Sequence, residues 1–160
     1  MKFLYSDTQD YVDPGYDFIN DRQAPGRERY WHDAYAHEMM RPAPYDGLLV
    51  AMSAVRQAEG VAASKVRYTT AEEQRLLRIG ARKFLRLDGP GLKDLMLMGD
   101  CGAFAYAGHH EPAYSPEEVI EFYLDGEFTH GVSPDHIIFE CDLDNPPARA
   151  LPEAERRFEI

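Results

Sequence analysis

Four short apolar runs, at residues 2–5, 47–52, 94–99 and 128–133, are set apart by longer amphipathic or polar stretches. Runs of this length, bounded by turn-forming residues, are the size of buried strands and too short for core helices. Between them the hydrophobic period lengthens. "RERYWHDAYAHEMM" (27–40) reads as a helix closed by Arg41-Pro42. A second helix opens on a capping box of Thr70 and Glu73, and Leu76, Leu77, Gly80, Ala81 and Phe84 share one face of it. "GPG" (89–91) breaks the chain before the third run. A third helix has Ser115 as N-cap, Pro116 in its first turn and Glu118 as the capping acid. Val119, Phe122 and Tyr123 give it an apolar face, and Gly126 stops it. Strand and helix alternating in this way predict an α/β fold of parallel strands joined by crossover helices. A doubly wound sheet and a (β/α)8 TIM-type barrel both fit.

With 160 residues the chain is long enough for a single domain with a sizeable core, spanning 1–160. A complete barrel needs roughly 250 residues, so on the barrel reading this is an incomplete, N-terminal part. Residues 142–160 form an acidic, proline-rich tail whose double proline continues neither strand nor helix. The net charge of −11 argues against nonspecific nucleic-acid binding. It is unevenly spread. Residues 111–160 hold 13 acidic and 3 basic residues, whereas residues 65–93 carry eight Lys/Arg against three acids. The basic segment leaves a binding face open, and it fits a solvated helix face equally well. Cys101 and Cys141 make neither a disulfide framework nor a C-x-x-C zinc pair and read as reduced, buried thiols. The polar start and the shortness of every apolar run predict a cytoplasmic protein without a membrane partner.

The run at 94–99 ends on "GDCG", and side chains at the carboxyl ends of parallel strands line ligand sites. Asp100 sits at such an end, between Gly99 and Gly102, with the small residues Cys101 and Ala103 beside it. Phe104 and Tyr106 are candidate apolar walls. Asp135, in "GVSPDH", follows the next strand in the same way. Two carboxylates on one rim accept paired N–H donors such as a guanine-like edge presents, or act as base or nucleophile. The same residues also fit plainer roles, Asp100 as a loop cap and Asp135 as a turn residue after Pro134. Asp7 and Gln9 follow the first strand and are possible rim residues, as is His136 beside Asp135. His109, His136 and Asp135 give a weaker reading as a metal hydrolase. His130 on its strand reads as a partly buried histidine, and "YAHE" (35–38) as surface or packing. No phosphate-cradling glycine loop or nucleophile-elbow serine is present.

"MGDCGAFAY" resembles the Asp-Ser-Gly-Gly-Phe-Gln motif of tRNA-guanine transglycosylases, and more closely their DNA-acting relatives, which insert 7-deazaguanine bases. "SDTQDYVDPGYDF", "YAHE", "PYDGLLVA", "RLLRIGARKFLRL", "YSPEEVIEFY" and "GVSPDHIIFE" resemble that DNA-acting branch in the same order. The resemblance implies an incomplete (β/α) barrel that replaces guanine with a 7-deazaguanine such as preQ0. It places acid/base work or base contact at Asp100 and recognition of the purine edge at Asp135. It puts Cys101, Gly102, Phe104 and Tyr106 around the base. Cys101-Gly102-Ala103 stands where the tRNA enzymes have Ser-Gly-Gly, and Ala105 stands for their Gln; these departures favour DNA over the alternative, tRNA. The family's nucleophilic aspartate and its Cys/His zinc cluster fall on later strands, beyond residue 160. The resemblance therefore gives these residues no nucleophile, no metal ligand and no cofactor of their own. It implies the base-recognition half of a site, inactive alone, completed by a longer chain or a second polypeptide. Self-association through open sheet edges and a non-catalytic, base- or partner-binding chain are the alternatives.

Overall fold

The computed structural model describes residues 1–109, 111–135 and 137. Four parallel strands form one sheet, β1 (Leu4–Ser6), β2 (Gly47–Ala51), β3 (Met96–Asp100) and β4 (His130–Gly131), neighbours in space in chain order. A doubly wound sheet reverses its strand order at a switch point. No reversal occurs among the described residues, so the α/β sheet is compatible with part of a barrel. Short helices fill the crossovers: α1 (Arg29–His32) and α2 (Ala36–Met39) before β2, and α3 (Met52–Val55), α4 (Thr70–Ile79) and α5 (Ala81–Phe84) before β3. α6 (Pro116–Asp125) leads into β4.

Alternation along the strands gives the sheet two unlike faces. Leu48, Val50 and Leu97 are fully buried and join Leu76, Ala81, Phe84, Val119 and Phe122 in the core under the helices. Leu4, Leu49, Met96 and Met98, in register on the other face, are only half-buried. Gly99 and Gly131 lie side by side on β3 and β4, and a Cβ on either would collide with the Tyr123 ring from α6. The Tyr123 hydroxyl donates to the Val132 carbonyl at 2.9 Å, fixing that close approach.

The expected helix over 27–40 is two single turns instead. Ala34 exchanges two backbone hydrogen bonds of 2.9 Å with Val12. Asp33, its side chain fully buried, takes both prongs of the Arg27 guanidinium. Long-range pairing thus overrides a helical period. The capping box of α4 sits one residue earlier than expected, on Thr69 and Glu72, because Glu73 is drawn to Arg56 at 2.7 Å. Gly80, at φ +79°, separates α4 from α5, yet Leu76, Ala81 and Phe84 still share one buried side. The Ser115–Glu118 box and Pro116 open α6 as expected. β4 is shorter than its apolar run. Thr129 substitutes for part of the ladder, its hydroxyl accepting from the Leu97 amide at 2.9 Å. Among the described residues no helix is long and apolar enough to cross a membrane. His110, His136, Cys141 and the tail 142–160 lie outside the described residues.

Candidate functional site

Ala51 and Asp100 are register partners at the carboxyl ends of β2 and β3. A cavity of about 270 Å³ opens there, lined by Ser6 from β1, Leu49 and Ala51 from β2, Ser53 from α3, and Asp100, Gly102 and Phe104. Lys65, ending the 3-10 turn Ala63–Lys65, completes the rim. Asp100 is half-buried, and its Oδ2 accepts from the Gly102 amide at 3.0 Å. Burial pushes its carboxyl above the usual carboxylate range; the Gly102 amide offsets part of this, and the charge of Asp135 adds to it. Gly102 has φ +80° and no room for a side chain, since a Cβ would collide with Ser53 Oγ. A glycine there lets the backbone fold back onto Asp100 and keeps that wall of the cavity low.

Asp135 joins the same rim by a different route. It is exposed and does not line the cavity; the buried Cys101 thiol donates to its Oδ1 at 3.1 Å. The Tyr106 hydroxyl donates to its backbone carbonyl at 3.4 Å. Burial pushes the Cys101 thiol up, which keeps it protonated and a donor. The chemistry available is thus two carboxylates, one with a raised proton affinity, beside a cavity that also carries two hydroxyls and an ammonium.

Other expected site residues lie elsewhere. Phe104 is 82% exposed and lines the cavity, whereas Tyr106 is 1% exposed and packs edge-on against Tyr114. Cys101 is likewise beneath the rim, so both support Asp135 and neither offers a surface to a ligand. Asp7 points to the helix-covered face, because alternation along β1 sends Ser6 toward Asp100. Asp7 is 1% exposed and accepts from the Gln9 and Asp10 amides and the Tyr68 hydroxyl. It lines a separate cavity with Tyr5, Tyr35 and Tyr45. The Gln9 side chain accepts from the Tyr11 hydroxyl at 3.1 Å, away from the rim. His130 is exposed rather than partly buried, and His37 of the "YAHE" turn is fully buried with Nδ1 at 2.5 Å from the Tyr45 hydroxyl. Among the described residues no group of three or more His, Cys, Asp or Glu side chains could hold a metal ion. Ser6, Ser53 and Lys65 carry no sequence motif; only the parallel register of β1–β3 and the returning 3-10 turn bring them together.

The fold is thus an α/β protein whose parallel sheet carries two carboxylates at its carboxyl-end rim, a pair able to accept from N–H donors. No family model matches the chain. It is 40% identical over 162 aligned residues to a DNA-guanine transglycosylase of Salmonella montevideo, an alignment covering 100% of this chain and 37% of that relative. The chain belongs to the guanine transglycosylase family. It thus spans little more than a third of the length of the curated relative it matches.

Proposed function

We propose that the complete protein replaces guanine in DNA with a 7-deazaguanine such as preQ0 through a covalent glycosyl-enzyme. The observation that carries this reading is the end-to-end likeness to a DNA-guanine transglycosylase, joined to the carboxylate-bearing cavity at the end of β3. The target guanine leaves the base stack to be reached. A carboxylate supplied from outside these residues attacks the sugar carbon C1′, breaking its bond to N9 as the new ester bond forms, and guanine departs with a proton delivered to the base. The incoming base then attacks the same carbon through N9, the ester bond breaks to return the carboxylate, and N9 loses its proton. Asp100 and Asp135 hold the N–H edges of the departing and arriving bases, and the raised proton affinity of Asp100 suits it to carry the proton. The zinc that the resemblance implies has no donor set among the described residues, and no step here involves it.

On this reading residues 1–160 are the N-terminal portion of an incomplete barrel, and the half-buried face of Leu49, Met96 and Met98 is its inner wall. The test is incorporation of labelled 7-deazaguanine by the complete protein, with duplex DNA and tRNA offered side by side. Incorporation into DNA is expected. Asp100→Asn and Asp135→Asn should each lower it at least tenfold, as a lost charge-assisted contact of ~1.5–3 kcal/mol implies. Near-normal incorporation by both variants overturns the roles assigned, and preferential labelling of tRNA overturns the DNA assignment.

A further inference from the structure

The polar groups around the Asp100 cavity are not all acceptors. Lys65 lines it as well, exposed at the rim on the crossover from β2 to β3. Among the described residues it has no ion-pair partner: the ion pairs there engage Arg27, Arg56 and Arg86. Asp100, in contrast, accepts from the backbone amides of Gly102 and Cys101 and keeps free acceptor capacity. A carboxylate and an unpaired ammonium on the wall of one cavity of about 270 Å³ present an acceptor and a donor to a single small ligand.

A 2-amino-6-oxopurine has that pattern. Its N1–H and 2-amino group are donors, and the oxygen on C6 is an acceptor. Carboxylates satisfy the donors and leave the C6 oxygen without a partner; a lysine is a common donor to that oxygen in nucleic-acid recognition. We propose that Lys65 is the specificity-determining residue that donates to the 6-oxo group of the base held by Asp100. This deepens the base-exchange reading and rests on it. An amino group at C6 would set N–H donors against the ammonium, so Lys65 selects for guanine-type bases and against adenine-type ones. Ser6 and Ser53 hydroxyls donate or accept and do not discriminate between the two.

The experiment measures binding of free guanine, 2-aminopurine and 2,6-diaminopurine to the complete protein and to its Lys65→Met and Lys65→Arg variants. These probes carry an oxygen, a hydrogen and an amino group at C6. Lys65→Met should lower guanine affinity about tenfold, leave 2-aminopurine unchanged and shrink the preference of guanine over 2,6-diaminopurine. Lys65→Arg should restore the preference. Equal guanine binding by wild type and Lys65→Met overturns the inference while the base-exchange reading stands. So does a variant that loses affinity for oligonucleotides only, which would make Lys65 a phosphate contact. A wild-type protein that binds none of the bases overturns both.

Discussion

The two cavities, each of about 270 Å³, hold a carboxylate apiece, and burial pushes both Asp7 and Asp100 above the usual carboxylate range. They differ in what the carboxylate has left to offer. Asp7 is surrounded by donors from its own chain, the Gln9 and Asp10 amides and the Tyr68 hydroxyl, and is sealed at 1% exposure behind tyrosine rings. Asp100 has only the Gly102 and Cys101 amides, a glycine beside it and, on the same wall, a lysine without an ion-pair partner among the described residues. A shifted proton affinity alone therefore does not mark a site; unspent acceptor capacity facing open space does.

The sharpest break between the two is expected from paired substitutions. Asp100→Asn should remove most base exchange and leave folding nearly intact. Asp7→Asn should leave the exchange rate per folded molecule near normal and lower stability by about 1–2 kcal/mol. Chemical denaturation alongside the incorporation assay reads both, and equal loss of activity in the two variants would erase the distinction. Next in size is Gly102→Ala, which places a Cβ against Ser53 Oγ at positive φ. We expect about 2 kcal/mol of destabilisation or a displaced Asp100, with partial recovery on adding Ser53→Gly.

The pH dependence follows from the direction of the Asp7 shift. A folded-state pKa above the unfolded one means the folded protein binds the proton more tightly. Asp7 therefore contributes stability at pH below the ordinary carboxylate range, and that contribution is lost as pH rises through its elevated pKa. Asp7→Asn should flatten this part of the stability–pH curve, measured by denaturation across mildly acidic pH. The smallest effect is expected at Cys101. Cys101→Ala removes the donor to Asp135 and should weaken base affinity several-fold, as loss of roughly 1 kcal/mol implies. Cys101→Ser keeps a donor and should stay close to wild type.

The strands and the start of α6 were readable because their signals are local: short apolar runs, and Ser115, Pro116 and Glu118 in fixed order. The break of the 27–40 helix was not, because it depends on Val12 reaching Ala34 from elsewhere in the chain and on Arg27 folding back onto Asp33 within the segment. The one-residue offset of the α4 cap has the same origin, since Arg56 competes for Glu73. At the site, Asp100 and Gly102 could be picked out from their strand-end motif. Lys65 and Ser53 could not, for nothing in "AASKVR" or "AMSAV" announces the wall they share. Tyr106 misled for the opposite reason: an aromatic residue near a site reads alike whether it faces a ligand or the core.

The Tyr123 ring, lying across Gly99 and Gly131 with its hydroxyl on Val132, works as a shim of fixed thickness. It sets how far the segment bearing Asp135 stands from the tip of β3, so the spacing of the two acids is gauged from the helix layer behind the sheet. A change of bulk on α6, remote from the cavity, would then alter the gap between Asp100 and Asp135.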